Sequence, residues 1–139
     1  MKPILPWGAA AFATGFALHA ADHLRRGFGA SPMGVMYIGM AQAMLVAASV
    51  TLAWRRHRLA PAAAIAIGVI SIFLVSGGHL VPHAPSNTTD SYVTPAPGGN
   101  VTAFSWFSAY TEATTALAYA AAGAIEIWRG KREPVSLGT

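Results

Sequence analysis

Apolar residues fall into four long runs broken by short polar stretches. The first goes from Ile4 to about Leu24, built of Ala, Phe, Leu and Gly with no charge before Asp22. Gly34 to Trp54 is the second, closed by Arg55-Arg56-His57-Arg58, and Ala60 to Pro82 is the third. Ala103 to Trp128 is the fourth, ended by Arg129-Gly130-Lys131-Arg132. At a rise of ~1.5 Å per residue, ~20 residues cross a hydrocarbon core of roughly 30 Å. The pattern predicts an all-α, polytopic integral membrane protein. Residues 1–139 form a single membrane domain of four transmembrane helices (about 4–24, 34–54, 60–82 and 103–128) in an antiparallel bundle. Met1-Lys2 before an apolar stretch also suits a secretory signal. The cleavage pattern is weak and the flank basic, so the first run is read as a retained helix.

The breaks carry the turn chemistry. Arg25 to Pro32 holds two glycines, a serine and a proline, good stop and turn signals. Spans two and three are joined so tightly that they make an antiparallel hairpin. Residues 84–102 are the one long loop, rich in Pro, Gly, Ser, Thr and Asn, without Lys or Arg and with Asp90 as its single charge. Basic residues set the orientation. Lys2, Arg55, Arg56, Arg58, Arg129, Lys131 and Arg132 collect on one side, Arg25 and Arg26 on the other. The positive-inside rule predicts both termini inside and the long loop outside, in a bacterial inner membrane.

Composition strengthens the membrane reading. The 139 residues are 54% hydrophobic and only 10% charged, with a mean hydropathy of +0.46. A soluble domain carries about a quarter charged residues, and a chain this small exposes too much surface to manage on fewer. No cysteine is present, which excludes disulfides, thiolate metal sites and cysteine nucleophiles. The net charge of +4 comes from residues at the ends of apolar runs, where they contact headgroups rather than nucleic acid.

The candidate chemistry lies at the outer ends of spans one and three. His19 and His23 are four residues apart, as are His79 and His83, so each pair projects from one helix face. Both spans run the same way, which puts the two pairs at similar depth. Span two enters from the same side carrying Met33, Met36, Met40 and Met44 as one stripe, and span four carries Glu112 about three turns in. His19, Met40, His79 and Glu112 are expected in one layer, with His23, Met36 and His83 nearer the surface. An ionisable group at depth costs at least ~2.5–3.5 kcal/mol, so such a convergence points to function. Each residue also has a plain reading. A lone histidine suits the interface, the methionines suit packing, and Asp22 suits an ion pair with Arg25 or Arg26.

Taken together, His19, His23, His79, His83, Glu112, Asp22 and Met40 are the expected metal ligands, for Cu, Zn or Fe, with thioether sulfur favouring copper(I). Asp22 also suits a supporting acceptor for an imidazole. Haem b is the alternative cofactor. Facing His19 and His79 would then be axial ligands, with Gly15, Gly77 and Gly78 leaving room for a macrocycle. Redox chemistry or metal handling is the expected use. A metal-free acid–base enzyme acting on a lipid- or quinone-like substrate, and an accessory subunit of a larger membrane complex or homo-oligomer, are the other two classes. Partners are therefore the bilayer and other membrane proteins, not nucleic acid.

Overall fold

The computed structural model describes residues 4–27, 29–82 and 88–130, which form four helices: α1 (Leu5–Arg26), α2 (Met33–Trp54), α3 (Ala60–His79) and α4 (Ala103–Gly130). The all-α expectation holds. Two of the helices, α2 and α3, are long and apolar enough to cross a membrane.

Local chemistry sets the helix ends. Pro6 and Pro61 stand in the first turns of α1 and α3, where a missing N–H costs nothing. α1 closes at Gly27, whose φ of +91° suits glycine and whose N–H donates to the carbonyls of His23 and Leu24. α3 stops at His79, short of the expected Pro82, for two reasons. A residue preceding proline disfavours helical geometry, and here that residue is Val81. The carbonyls of Gly78 and His79 also find partners outside the helix, accepting from the N–H groups of Asp90 (2.9 Å) and Tyr92 (2.8 Å).

Side-chain contacts give the register. Gly8 of α1 packs on Tyr119 and Ala122 of α4, Gly15 on Thr111 and Glu112, and Asp22 reaches Ser105, so α1 and α4 are antiparallel. Gly123 of α4 meets Pro61 and Ala64 of α3, while Gly68 meets Ala116 and Ala120, so these two are antiparallel as well. α4 packs closely on both α1 and α3; α2 completes the ring more loosely. Small residues allow this approach. A Cβ added at Gly68 would lie 2.6 Å from the Ala116 carbonyl oxygen, and one at Gly123 would lie 2.5 Å from that of Pro61.

Burial sorts polar groups inward. Gln42, Ser49, Ser71, Ser105, Ser108 and Glu112 are buried, whereas Met40, Met44, Phe73 and Leu117 are 60% exposed or more. The inward polar groups bond one another across the bundle. The Tyr119 hydroxyl meets Ser49 Oγ at 3.0 Å, and Gln42 Nε2 donates to Ser71 Oγ at 3.0 Å. α2 is buried only at Gln42, Val46, Ser49 and Ala53. Its first two turns, Met33 to Met40, contribute no buried residue.

Candidate metal centre

The last turns of α1 and α3 bring three imidazoles into mutual contact. His19 and His23, one turn apart on α1, stack with ring centroids 5.0 Å apart. His79 from the diagonal helix closes the triangle at 4.8 Å from His19 and 5.2 Å from His23. One ring nitrogen from each lies within 4.8 Å of the other two, a spacing able to hold a metal ion. His19 and His79 are buried and His23 half-buried.

The surrounding hydrogen bonds decide which nitrogen each ring offers. His79 Nδ1 lies 2.9 Å from the backbone carbonyl oxygen of Asp90. A carbonyl only accepts, so Nδ1 carries the proton. His19 Nδ1 lies 2.5 Å from Glu112 Oε2, and a carboxylate likewise fixes the proton on Nδ1. His23 Nδ1 meets Ser31 Oγ at 3.1 Å. That hydroxyl spends its hydrogen on Asp90 Oδ2 at 2.7 Å, so it accepts from His23. In the neutral state all three rings therefore hold their proton at Nδ1 and keep the lone pair at Nε2, where that of His19 meets the Tyr92 hydroxyl at 3.3 Å. Metal-ligating histidines are oriented in this way, by a donor bond from the other nitrogen to a carboxylate or carbonyl.

The supporting acceptors are themselves braced. Glu112, 1% exposed, takes a second bond on Oε1 from Gln42 Nε2 at 2.6 Å. Asp90 sits in the loop following α3 and forms a buried bidentate pair with Arg26, Nη1 to Oδ2 at 2.6 Å and Nη2 to Oδ1 at 2.7 Å. Arg26 also donates from Nε to the Gly99 carbonyl at 2.6 Å and lies 5.2 Å from the centre of the Tyr92 ring. Burial pushes the Asp90 carboxyl upward. Hydrogen bonds from Arg26 and Ser31, with the Arg26 charge, outweigh that and hold it below the usual carboxylate range. Tyr92 stacks on His79 at 4.4 Å, and burial pushes its phenol well above the ordinary value, so it stays a neutral donor. Its hydroxyl lies between Asp22 Oδ2 at 3.4 Å and His19 Nε2 at 3.3 Å.

Not every expected ligand joins the triangle. Glu112 touches it through His19 and acts as a support. Asp22 is fully buried but turned toward the start of α4, where Arg25 Nη2 holds Oδ1 at 2.8 Å and Ser105 Oγ donates to it at 3.1 Å. Met40 is 63% exposed and lines a cleft beside the histidines instead of facing Glu112. The residue that does face Glu112 from α2 is Gln42. Gly77 and Gly78 line the same cleft with nothing within 4 Å of an added Cβ, whereas Gly15 is filled by α4. His83 lies outside the described residues.

Three residues escaped the sequence reading, Ser31, Gln42 and Tyr92, and Arg26 pairs with Asp90 while Arg25 takes Asp22. Gln42 had a signal, being with Ser49 a polar side chain seven residues apart in the middle of an apolar run. Tyr92 and Arg26, and Ser31 in its bond to Asp90, act through contacts across about sixty residues or more of chain, for which no local spacing exists.

The cleft is about 500 Å³, bounded by α1, α2 and α3, with His19, His23, His79, Gln42 and Glu112 among its lining residues. No family model, curated protein or solved structure matches the chain.

Proposed function

We propose that this protein is a small membrane metalloprotein that holds one divalent transition-metal ion on Nε2 of His19, His23 and His79. The observation that carries the reading is the common tautomer: three neighbouring imidazoles, each tied at Nδ1 to a braced acceptor and each with its lone pair at Nε2, that of His19 shared with the Tyr92 hydroxyl until the hydroxyl turns wholly to Asp22. Three protein ligands leave a coordination position for a water or substrate, as in sites that do chemistry; closed four-ligand sites are structural. Neutral imidazoles with carboxylate support suit zinc, iron or copper(II). Met40 lines the cleft but is 63% exposed, which makes its thioether a poor candidate for the ligand that would favour copper(I). Three rings in mutual contact also leave no flat slot between His19 and His79 for a porphyrin.

Membrane placement has its own support. Helices α2 and α3 are apolar on nearly every side, yet their large side chains, Tyr37, Met44 and Phe73 among them, face outward while amide, hydroxyl and carboxyl groups turn in. Water would reverse that arrangement; lipid favours it. On this reading all four helices span. The histidines then lie in the outer leaflet of an inner membrane, a placement supported by the excess of basic residues at the opposite end.

Elemental analysis of protein purified without chelators, then dialysed against zinc, tests the proposal. One metal per chain is expected, with His19→Ala and His79→Ala each losing most of it and the distant His57→Ala losing none. Failure of the unmutated protein to retain stoichiometric metal after loading overturns it.

A further inference from the structure

The cleft beside the histidines has two unlike surfaces. Its walls are apolar, with Phe16 from α1, Met36 and Ile38 from the loosely packed start of α2, and Phe73 from α3. Ile38, Met40 and Phe73 line it and are also exposed on the outer surface, so it opens sideways between helices into the zone where lipid chains would lie. Its floor is polar: His19, His79, Gln42 and Glu112. A volume of about 500 Å³ lies within the range of small-molecule sites, roughly 300–1,000 Å³. We propose that this cleft admits a single-chain, membrane-soluble alcohol from the bilayer, whose hydroxyl oxygen takes the open position on the metal while its hydrocarbon chain lies along the first turns of α2.

The headgroup follows from the floor. Gln42 Nε2 donates to both Ser71 Oγ (3.0 Å) and Glu112 Oε1 (2.6 Å), so both of its amide hydrogens are spent. Only the amide oxygen remains, and it accepts. A metal held by three imidazoles wants an oxygen lone pair. A hydroxyl satisfies both, giving its lone pair to the metal and its hydrogen to Gln42. A carbonyl or ether lacks the hydrogen, and an alkane lacks both. The chain follows from the walls, since burying ~25 cal/mol per Å² of apolar surface is available only to a ligand with a tail. Gly39 sits at the wall with open space where a side chain would project, which keeps the entrance wide.

The inference rests on the metal reading above, and the test separates the two. Protein in phosphatidylcholine nanodiscs is loaded with cobalt(II), whose visible bands report coordination, and titrated with 1-hexadecanol or hexadecane. In parallel, a hexadecanol carrying a mid-chain diazirine is photolysed on the same sample. Hexadecanol is expected to shift the cobalt bands and hexadecane to leave them unmoved. The photoprobe is expected to label peptides containing Met36 or Phe73. Gly39→Trp should raise the half-saturating alcohol concentration at least tenfold and cut labelling to the same degree, while the cobalt bands without alcohol stay as in the parent. Cobalt that binds but does not respond to hexadecanol overturns the inference and leaves the metal reading standing. Absence of cobalt binding overturns both. Labelling equal in parent and Gly39→Trp, with unperturbed cobalt bands in the variant, overturns the assignment of the cleft.

Discussion

Arg26 and Asp90, sixty-four residues apart, meet in a bidentate ion pair with both side chains buried. The pair joins the last turn of α1 to the loop after α3. The same Asp90 presents its backbone carbonyl to His79 and its carboxylate to Ser31, which holds His23. One residue thus orients two of the three imidazoles.

Asp90→Asn should therefore unlatch the loop and weaken the metal site together. Removing one partner of a buried pair strands the other charge, at roughly 3–5 kcal/mol. Amide hydrogen exchange at Asp90 and Tyr92, whose N–H groups cap α3, is the measurement; faster exchange with a 10–100-fold loss of zinc affinity is expected. Parent-like exchange would show that the ion pair does not hold the loop.

Glu112→Gln tests the support of His19. Glutamine keeps the size and can still accept from Nδ1–H, but it removes the charge and turns its own N–H groups toward the Gln42 amide donor. Zinc affinity, measured by competition with a chromophoric chelator, should fall about 10–100-fold. Glu112→Leu leaves His19 Nδ1 and one Gln42 hydrogen unpaired, so it should cost more. Equal affinities across the three proteins would detach Glu112 from the site.

Met40→Leu should leave zinc affinity and stoichiometry unchanged, because the three groups that meet are imidazoles and Met40 only lines the cleft beside them. A clear drop would put sulfur back among the ligands.

Gly68→Ala should lower the thermal midpoint, since the new Cβ would meet the Ala116 carbonyl oxygen and force α3 from α4. Overpacking of this kind costs about 1–3 kcal/mol. Gly77→Ala is the contrast: nothing lies within 4 Å of its Cβ, and alanine favours helix. Equal stability of the two variants would deny the close helix approach.

The helices were legible because apolar runs of about twenty residues end in basic clusters, prolines or glycine, and each of those marks has a local cause. His19, His23 and His79 were legible for a similar reason: helical spacing and common depth are properties a sequence carries. The face of α2 was misjudged. The methionine stripe drew attention inward, yet Met40 and Gln42 are two residues, about 200°, apart on the helix. The amide is the one that meets the carboxylate, and Met40 is left at the exposed edge of the cleft. Asp90 stood out only as the lone charge of its loop. Its partners, Arg26 and Ser31, belong to another connection, and no periodicity links them.

Ser31 sits two residues before the unburied start of α2, on the short segment that joins α2 to α1. The top of α2 thus runs from that segment to Gln42, its first buried residue. Spreading the cleft draws on the segment whose hydroxyl fixes both His23 and Asp90. A ligand tail in the proposed cleft would therefore lie against the helix whose leading segment orients His23, so a tail too bulky for the cavity is expected to register at the imidazoles.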